Sequence, residues 1–288
     1  MLYKYVNPNT SRLILQNHCL RWSTPELLND PYDIQCDLRL DFDHNVVKAA
    51  ALEMLWNAFY GNEPSPAGNP LGYFVRAVRE IIPRLSREEF GGEIGPTLDE
   101  SLNALVRGLP RFHAETRAHM ADLKILCVTD DPLNLLMWGY YSDGHKGIVL
   151  GFQDVDGVDS PWKLARPVIY VNEVPALYDD LFLAKLLSGQ VSTDAKSIMD
   201  RLVYTKSVHH SHEREWRLCT GVGRDQRARF EDSRFNSREL TEIILGCRMN
   251  AADKTEIIKL ARAHYPHSSI LEARLDGREY RLTLSPME

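Results

Sequence analysis

Four short segments of this 288-residue chain concentrate side chains able to do chemistry. The most loaded runs Lys206-Ser207-Val208-His209-His210-Ser211-His212-Glu213-Arg214-Glu215-Trp216-Arg217-Leu218. If Glu213 to Leu218 is extended, Glu213, Glu215 and Arg217 share one face, and Arg214, Trp216 and Leu218 share the other. Two carboxylates ~7 Å apart on a strand that lines a cleft suit a division of labour. One binds a hydroxyl while the other orients a nucleophile or accepts its proton. The bland alternative is an edge strand whose glutamates pair with Arg214 or Arg217, in surface ion pairs worth ~0–1 kcal/mol. The three histidines suggest a metal, yet adjacent ligands on alternating faces cannot converge on one ion without a turn. Their spacing is neither H-E-x-x-H nor H-x-E with a later C-x-x-C.

A second segment, Met137-Trp138-Gly139-Tyr140-Tyr141-Ser142-Asp143-Gly144-His145-Lys146-Gly147, reads as a short aromatic helix entering a glycine-bracketed turn. Its tyrosines offer stacking faces and His145 a proton donor or acceptor; core aromatics beside a decorated turn are the competing reading. The third, Trp22-Ser23-Thr24-Pro25 through Asn29-Asp30-Pro31-Tyr32-Asp33, combines a helix cap with residues that bond their own backbone before a proline, so turn chemistry explains most of it. The fourth, Tyr3-Lys4-Tyr5, is strand-like, with both tyrosines on one face and Lys4 on the other.

The elements that must position these residues divide into two kinds. From about 41 to 122 the apolar spacing is helical: Asp43 caps a helix carrying Val46, Val47 and Leu55, and two more follow around Phe74 to Ile82 and Leu98 to Val106. Breakers at Pro64-Ser65-Pro66-Ala67-Gly68 and Phe90-Gly91-Gly92 separate them. The rest is strand-rich, with strands expected at 19–23, 124–129, 147–152, 168–171, 215–220, 242–246, 270–275 and 279–284. Helices are expected from Asn9-Thr10 onward and at 132–141, 175–187, 194–204 and 251–265, with Asp276-Gly277 joining the last two strands as a hairpin. The pattern predicts a single α+β domain over 1–288, with a split, mainly antiparallel sheet and an inserted helical block.

Composition narrows the function. Acidic residues outnumber basic ones 40 to 34, for a net charge of −6, so no overall footprint for wrapping duplex nucleic acid exists. Five scattered cysteines form no C-x-x-C pair, and neither a dinucleotide-binding G-x-G-x-x-G nor a P-loop occurs. Without a secretory leader or an apolar run of bilayer length, a reduced, cytoplasmic protein with no membrane partner is expected.

Taken together and in order, Lys4-Tyr5, Asn29-Asp30-Pro31, Met137-Trp138 with Tyr141, His145 and Gly147, and Lys206 with Glu213-Arg214-Glu215-Trp216-Arg217 resemble the bacterial domain of unknown function 2971 family. Glu242-Ile243-Ile244-Leu245-Gly246 is a further match. More distantly the layout looks like an ADP-ribosyltransferase fold: an N-terminal polar or aromatic strand, a middle aromatic segment and a late glutamate strand. That likeness implies an NAD-consuming transferase or glycohydrolase, of the toxin or phage-defence type, with NAD as substrate, an acceptor macromolecule of unknown kind and no metal. In it Glu215 is the catalytic carboxylate and Glu213 positions the acceptor, or the reverse. Lys4 and Tyr5 contact the dinucleotide, Ser23 the ribose or amide, and Tyr141 and His145 the nicotinamide side, with Asn29, Asp30, Trp138 and Arg217 completing the set. The family's usual arginine or histidine on the first strand has no evident counterpart here, Lys4 being the nearest candidate. Two other classes stay open: a metal-dependent hydrolase or nuclease using the 209–215 cluster, and a non-catalytic ligand-binding or regulatory module.

Overall fold

The structure is a computed structural model that describes residues 1–62 and 65–287; Pro64 of the first expected breaker lies outside them. In chain order the elements are β1 (Leu2–Val6), α1 (Pro8–Asn17), β2 (Cys19–Ser23), α2 (His44–Tyr60), α3 (Pro70–Val78), α4 (Arg87–Ala121), β3 (Ile125–Thr129), α5 (Leu135–Tyr141) and β4 (Ile148–Phe152). They continue with β5 (Arg166–Pro167), β6 (Ile169–Val171), α6 (Asp180–Leu187), α7 (Ala195–Val203), β7 (Thr205–Ser207), β8 (Glu215–Cys219), β9 (Phe230–Arg234), β10 (Leu240–Leu245), α8 (Ala251–His264), β11 (Ser269–Leu275) and β12 (Leu282–Pro286). Among the described residues no helix is long and apolar enough to cross a membrane.

The chain divides into two compact units, one of Met1–Gln35, His119–Glu173 and Tyr204–Glu288, the other of Cys36–Ala118 and Val174–Val203. The second unit holds the helical block expected from about 41 to 122, except for its last few residues, and, beyond it, α6 and α7. Its helices start where the sequence supplies caps. Asp43 accepts from the amides of Asn45 and Val46 at α2, and Asn69 accepts from those of Leu71 and Gly72 at α3. One expectation fails here: Phe90-Gly91-Gly92 is not a breaker but the interior of α4. Buried Phe90 packs edge-on against Trp56, Phe59 and Tyr60, and this contact outweighs the ~1 kcal/mol that each glycine costs a helix.

The first unit is built on a mixed but mainly antiparallel sheet with strand order β12-β11-β10-β4-β1-β3-β2-β9. β8 adds to β3 and β5 to β8. The β10–β11 pair is parallel and is bridged by α8. β6 and β7 form a separate parallel pair with Tyr170 opposite Lys206. Alternation gives the sheet two faces. Leu126, Val128, Leu218, Leu150 and Ile243 point into an apolar core with Leu15 of α1 and Ile257 and Ala261 of α8. The opposite face carries Tyr3 beside Thr129, Glu215 beside Thr129, and Arg217 beside Cys127.

Several boundaries differ from expectation. α1 is capped by Asn7, with Pro8 in its first turn, rather than by Asn9-Thr10. β1, the strand-like start of the chain, is an interior strand between β4 and β3. β11 and β12 pair as expected, but through a loop spanning 276–281 instead of a two-residue turn, because the Asp276 carboxylate accepts from the amides of Arg278 and Glu279 and holds a wider bend. β5, β7 and β9 were not foreseen; β9 is Phe-Glu-Asp-Ser-Arg, whose polar side chains show no strand periodicity.

Candidate functional site

The decisive local feature is a break in sheet pairing. β3 pairs along one edge with β8 at every residue. Its other edge meets β1 only at Thr129, opposite Tyr3, and β2 only at Ile125, opposite Ser23. Between these bridges lies Cys127, the residue whose backbone groups face the same edge but find no strand. The Lys4 ammonium donates to its carbonyl at 2.7 Å. A cavity of about 250 Å³ opens at this gap, and Lys4, Ser23, Asn29, Tyr141, Glu213 and Glu215 are among the side chains lining it.

The floor is charged. Glu213 does not belong to the strand, contrary to the extended reading of Glu213 to Leu218: it ends a 3₁₀ helix, Val208–Glu213, and β8 begins at Glu215. Arg214 between them has φ +45°, in the left-handed region that costs a non-glycine residue about 1–2 kcal/mol. That turn lets both carboxylates reach one cation. The Lys206 Nζ donates to Glu213 Oε2 at 2.6 Å and to Glu215 Oε2 at 3.0 Å, and lies 3.4 Å from Asp33 Oδ2. Arg217, fully buried beneath, donates to Glu215 Oε1 at 2.7 Å and Oε2 at 2.9 Å, and to Asp33 Oδ2 at 2.6 Å. Three carboxylates and two cations are thus buried together, an arrangement tolerable only when each charge finds partners.

Electrostatics follow from the partners. Burial alone would raise the Glu215 carboxyl, but Arg217 and Lys206 outweigh it and bring it down to about 2. The Asp33 carboxyl is instead held above its ordinary value, by burial that Arg217 and Lys206 do not fully offset. Burial would lower the Lys206 ammonium, yet Glu215, Asp33 and Glu213 hold it well above its usual value. Burial pushes the Cys127 thiol up, with Glu215 adding to it, so no thiolate forms there at neutral pH.

The rim is held by a hydrogen-bond chain. Asn29 Nδ2 donates to the Tyr141 hydroxyl at 2.8 Å, which donates to Glu213 Oε1 at 2.7 Å. His210 lies 3.3 Å from the same oxygen and 3.4 Å from Asp30 Oδ2. α5, which carries Tyr141, is fixed by Asn134: its Oδ1 caps the helix while its Nδ2 donates to the His212 carbonyl at 2.6 Å. Behind the floor the amide of Glu215 donates to the Tyr170 hydroxyl at 2.8 Å.

Of the residues singled out from sequence, Lys4, Tyr5, Ser23, Asn29, Tyr141, Glu213 and Glu215 line this one cavity. The Tyr5 hydroxyl donates to the Asp131 carbonyl and accepts from the Asn134 amide, holding the loop before α5. Arg217 lies under the floor and Asp30 beside His210. Trp138 and His145 are not brought to the cavity lining. Trp138 is fully buried in an apolar cluster with Val149 and Ile244, its Nε1 donating to the Pro132 carbonyl. His145 stacks on it with ring centroids 6.1 Å apart. His209, His210 and His212 share the 3₁₀ helix, yet among the described residues no group of three His, Cys, Asp or Glu is placed to hold a metal ion. Lys206, Asp33, Cys127 and Tyr170 belong to the site without having been given a role in it, although Lys206 and Asp33 stand in the segments singled out from sequence. A second aspartate just after the Asn29-Asp30-Pro31 turn, which turn chemistry does not need, was the available signal for Asp33; Cys127 and Tyr170 gave none.

No protein-family model matches the chain, and neither the curated proteins nor the solved structures give a match. The geometry of the site therefore carries the functional reading by itself.

Proposed function

We propose that the cavity binds the nicotinamide-ribose end of NAD and that the protein transfers or hydrolyses its ADP-ribosyl group, in the manner of ADP-ribosyltransferases. The observation that carries the reading is the convergence of Glu213 and Glu215 on Lys206 at the floor of a cavity opened by the β1–β3–β2 gap. A volume of about 250 Å³ lies just under the ~300–1,000 Å³ of ordinary small-molecule pockets, so it takes one end of a dinucleotide rather than the whole.

In the reaction the bond between the ribose C1′ and the pyridinium nitrogen breaks. Its electron pair leaves with nicotinamide, which departs neutral, and positive charge develops on the ribose. A carboxylate held ionised by fixed cations is preorganised to stabilise that charge. The acceptor, water or a nucleophilic group, forms the new bond at C1′ and gives up a proton; Glu213, hydrogen-bonded to Tyr141 and beside the partly exposed His210, is placed to take it. The roles of the two glutamates can exchange without changing this balance.

The test is release of nicotinamide, or labelling of a macromolecule, from labelled NAD. Glu215→Gln, which removes the charge and keeps the shape, is expected to lower turnover by about 10²–10³-fold. Unchanged turnover in both Glu215→Gln and Glu213→Gln would overturn carboxylate chemistry. One observation favours a second reading, a non-catalytic ligand-binding module: both Glu215 oxygens are already paired with Arg217 or Lys206. On that reading Glu215→Gln changes stability and leaves ligand binding in place.

A further inference from the structure

The buried cluster holds three carboxylates, and their oxygens are unequally served. Both oxygens of Glu213 and both of Glu215 accept hydrogen bonds from Tyr141, Lys206 or Arg217. Asp33 Oδ2 accepts from Arg217. Asp33 Oδ1 is buried and has no hydrogen-bond partner among the described residues. Asp33 is only 3% exposed and lines the same cavity. Leaving a buried charged oxygen without a donor costs at least ~1–3 kcal/mol, which is why native proteins rarely do so unless another molecule supplies the donor.

We propose that Asp33 Oδ1 is the acceptor for the donor-bearing end of the ligand, selecting a neutral N–H or O–H group over an isostere that lacks one. The proposal rests on the dinucleotide reading above, in which the ligand offers two such donors, the primary carboxamide of nicotinamide and the hydroxyls of the adjoining ribose. Arg217 and Lys206 clamp the carboxylate from its other oxygen, so its orientation is set before anything binds. This makes Asp33 a positioning residue: it fixes the ligand, while the glutamates face the developing charge.

The experiment measures binding of probe pairs by calorimetry, with no turnover required. Nicotinamide against 3-acetylpyridine, which has the same shape without N–H donors, reads the carboxamide. ADP-ribose against its analogue lacking the 2-hydroxyl of the terminal ribose reads the sugar. At least one pair is expected to differ by tenfold or more in the unmodified protein, as a hydrogen bond to a charged acceptor implies. Asp33→Asn is expected to abolish the difference: Arg217 and Lys206 claim the amide oxygen, leaving an N–H₂ donor where Oδ1 stood. If the probes bind but neither pair discriminates, the position holds an ordered water only and the proposal falls while the dinucleotide reading stands. Discrimination that persists in a folded Asp33→Asn protein also overturns it. If neither NAD, ADP-ribose nor nicotinamide binds, both readings fall together. The probe pairs in the unmodified protein keep the proposal falsifiable even where Asp33→Asn fails to fold.

Discussion

Two polar-aromatic segments of the first unit, 137–147 and 206–217, look equally chemical in sequence and end in opposite circumstances. In the first, Trp138 is absorbed into an apolar cluster, its one polar atom satisfied by the Pro132 carbonyl, and among its aromatic and histidine side chains only Tyr141 and no histidine reaches the cavity lining. In the second, Glu213, Glu215 and Arg217 are also buried, but through one another and through Lys206 of β7 and Asp33. An aromatic ring is content with burial and a single hydrogen bond. A charge is not: it holds its place only as part of a network. The difference identifies the second segment as the one whose burial demands an explanation beyond packing.

The sharpest way to test that contrast is stability. Arg217→Met removes the cation shared by Glu215 and Asp33 and leaves three carboxylates around Lys206. It is expected to cost about 3–5 kcal/mol in urea unfolding. Trp138→Phe, a smaller ring without the N–H, is expected to cost about 1–2 kcal/mol. A larger loss for Trp138→Phe would break the comparison.

Next in size is pH dependence. The Glu215 carboxyl is depressed to about 2 in the fold from an ordinary value of 4.5. A depressed folded value means that its contribution is fully present above pH 4.5 and is lost as the pH falls toward 2, on the order of 3 kcal/mol. Asp33, held above its ordinary value, works in the opposite direction and trims this loss. Unfolding free energies measured across that window should decline in the unmodified protein and flatten in Glu215→Gln. An equal decline in both would remove Glu215 as the source.

The smallest expected effect separates Tyr141 from Trp138 by activity. Tyr141→Phe deletes the hydroxyl between Asn29 and Glu213 and is expected to lower nicotinamide release about tenfold, near the ~1.4 kcal/mol of one hydrogen bond to a charged group. Trp138→Phe should leave it within about threefold. Equal losses in both would show that the aromatic segment acts as one unit.

Much of the sheet was legible because strands such as β3, β4 and β10 are short apolar runs between turn residues. The two glutamates were legible as a pair of acids beside basic residues. What sequence could not reveal was the path between them. The left-handed turn at Arg214 is adopted by a residue type that rarely takes it, so the segment read as continuous strand. The gap between β1 and β2 along the edge of β3 arises from pairing between distant segments, which no local pattern encodes. The place of Trp138 was open in sequence for a related reason: a tryptophan in a helix beside a glycine-rich turn has the same signature whether it faces a ligand or a core.

The proposed site for the nicotinamide end of NAD is the β1–β3–β2 gap, above the paired glutamates. A crystal of the Glu215→Gln protein soaked with NAD measures this directly. Density for the nicotinamide ribose is expected in the cavity lined by Lys4, Ser23 and Tyr141, with its C1′ facing residues 213 and 215. Density confined to the separate groove of about 830 Å³ near Arg12 and Glu256, with the cavity vacant, would contradict it.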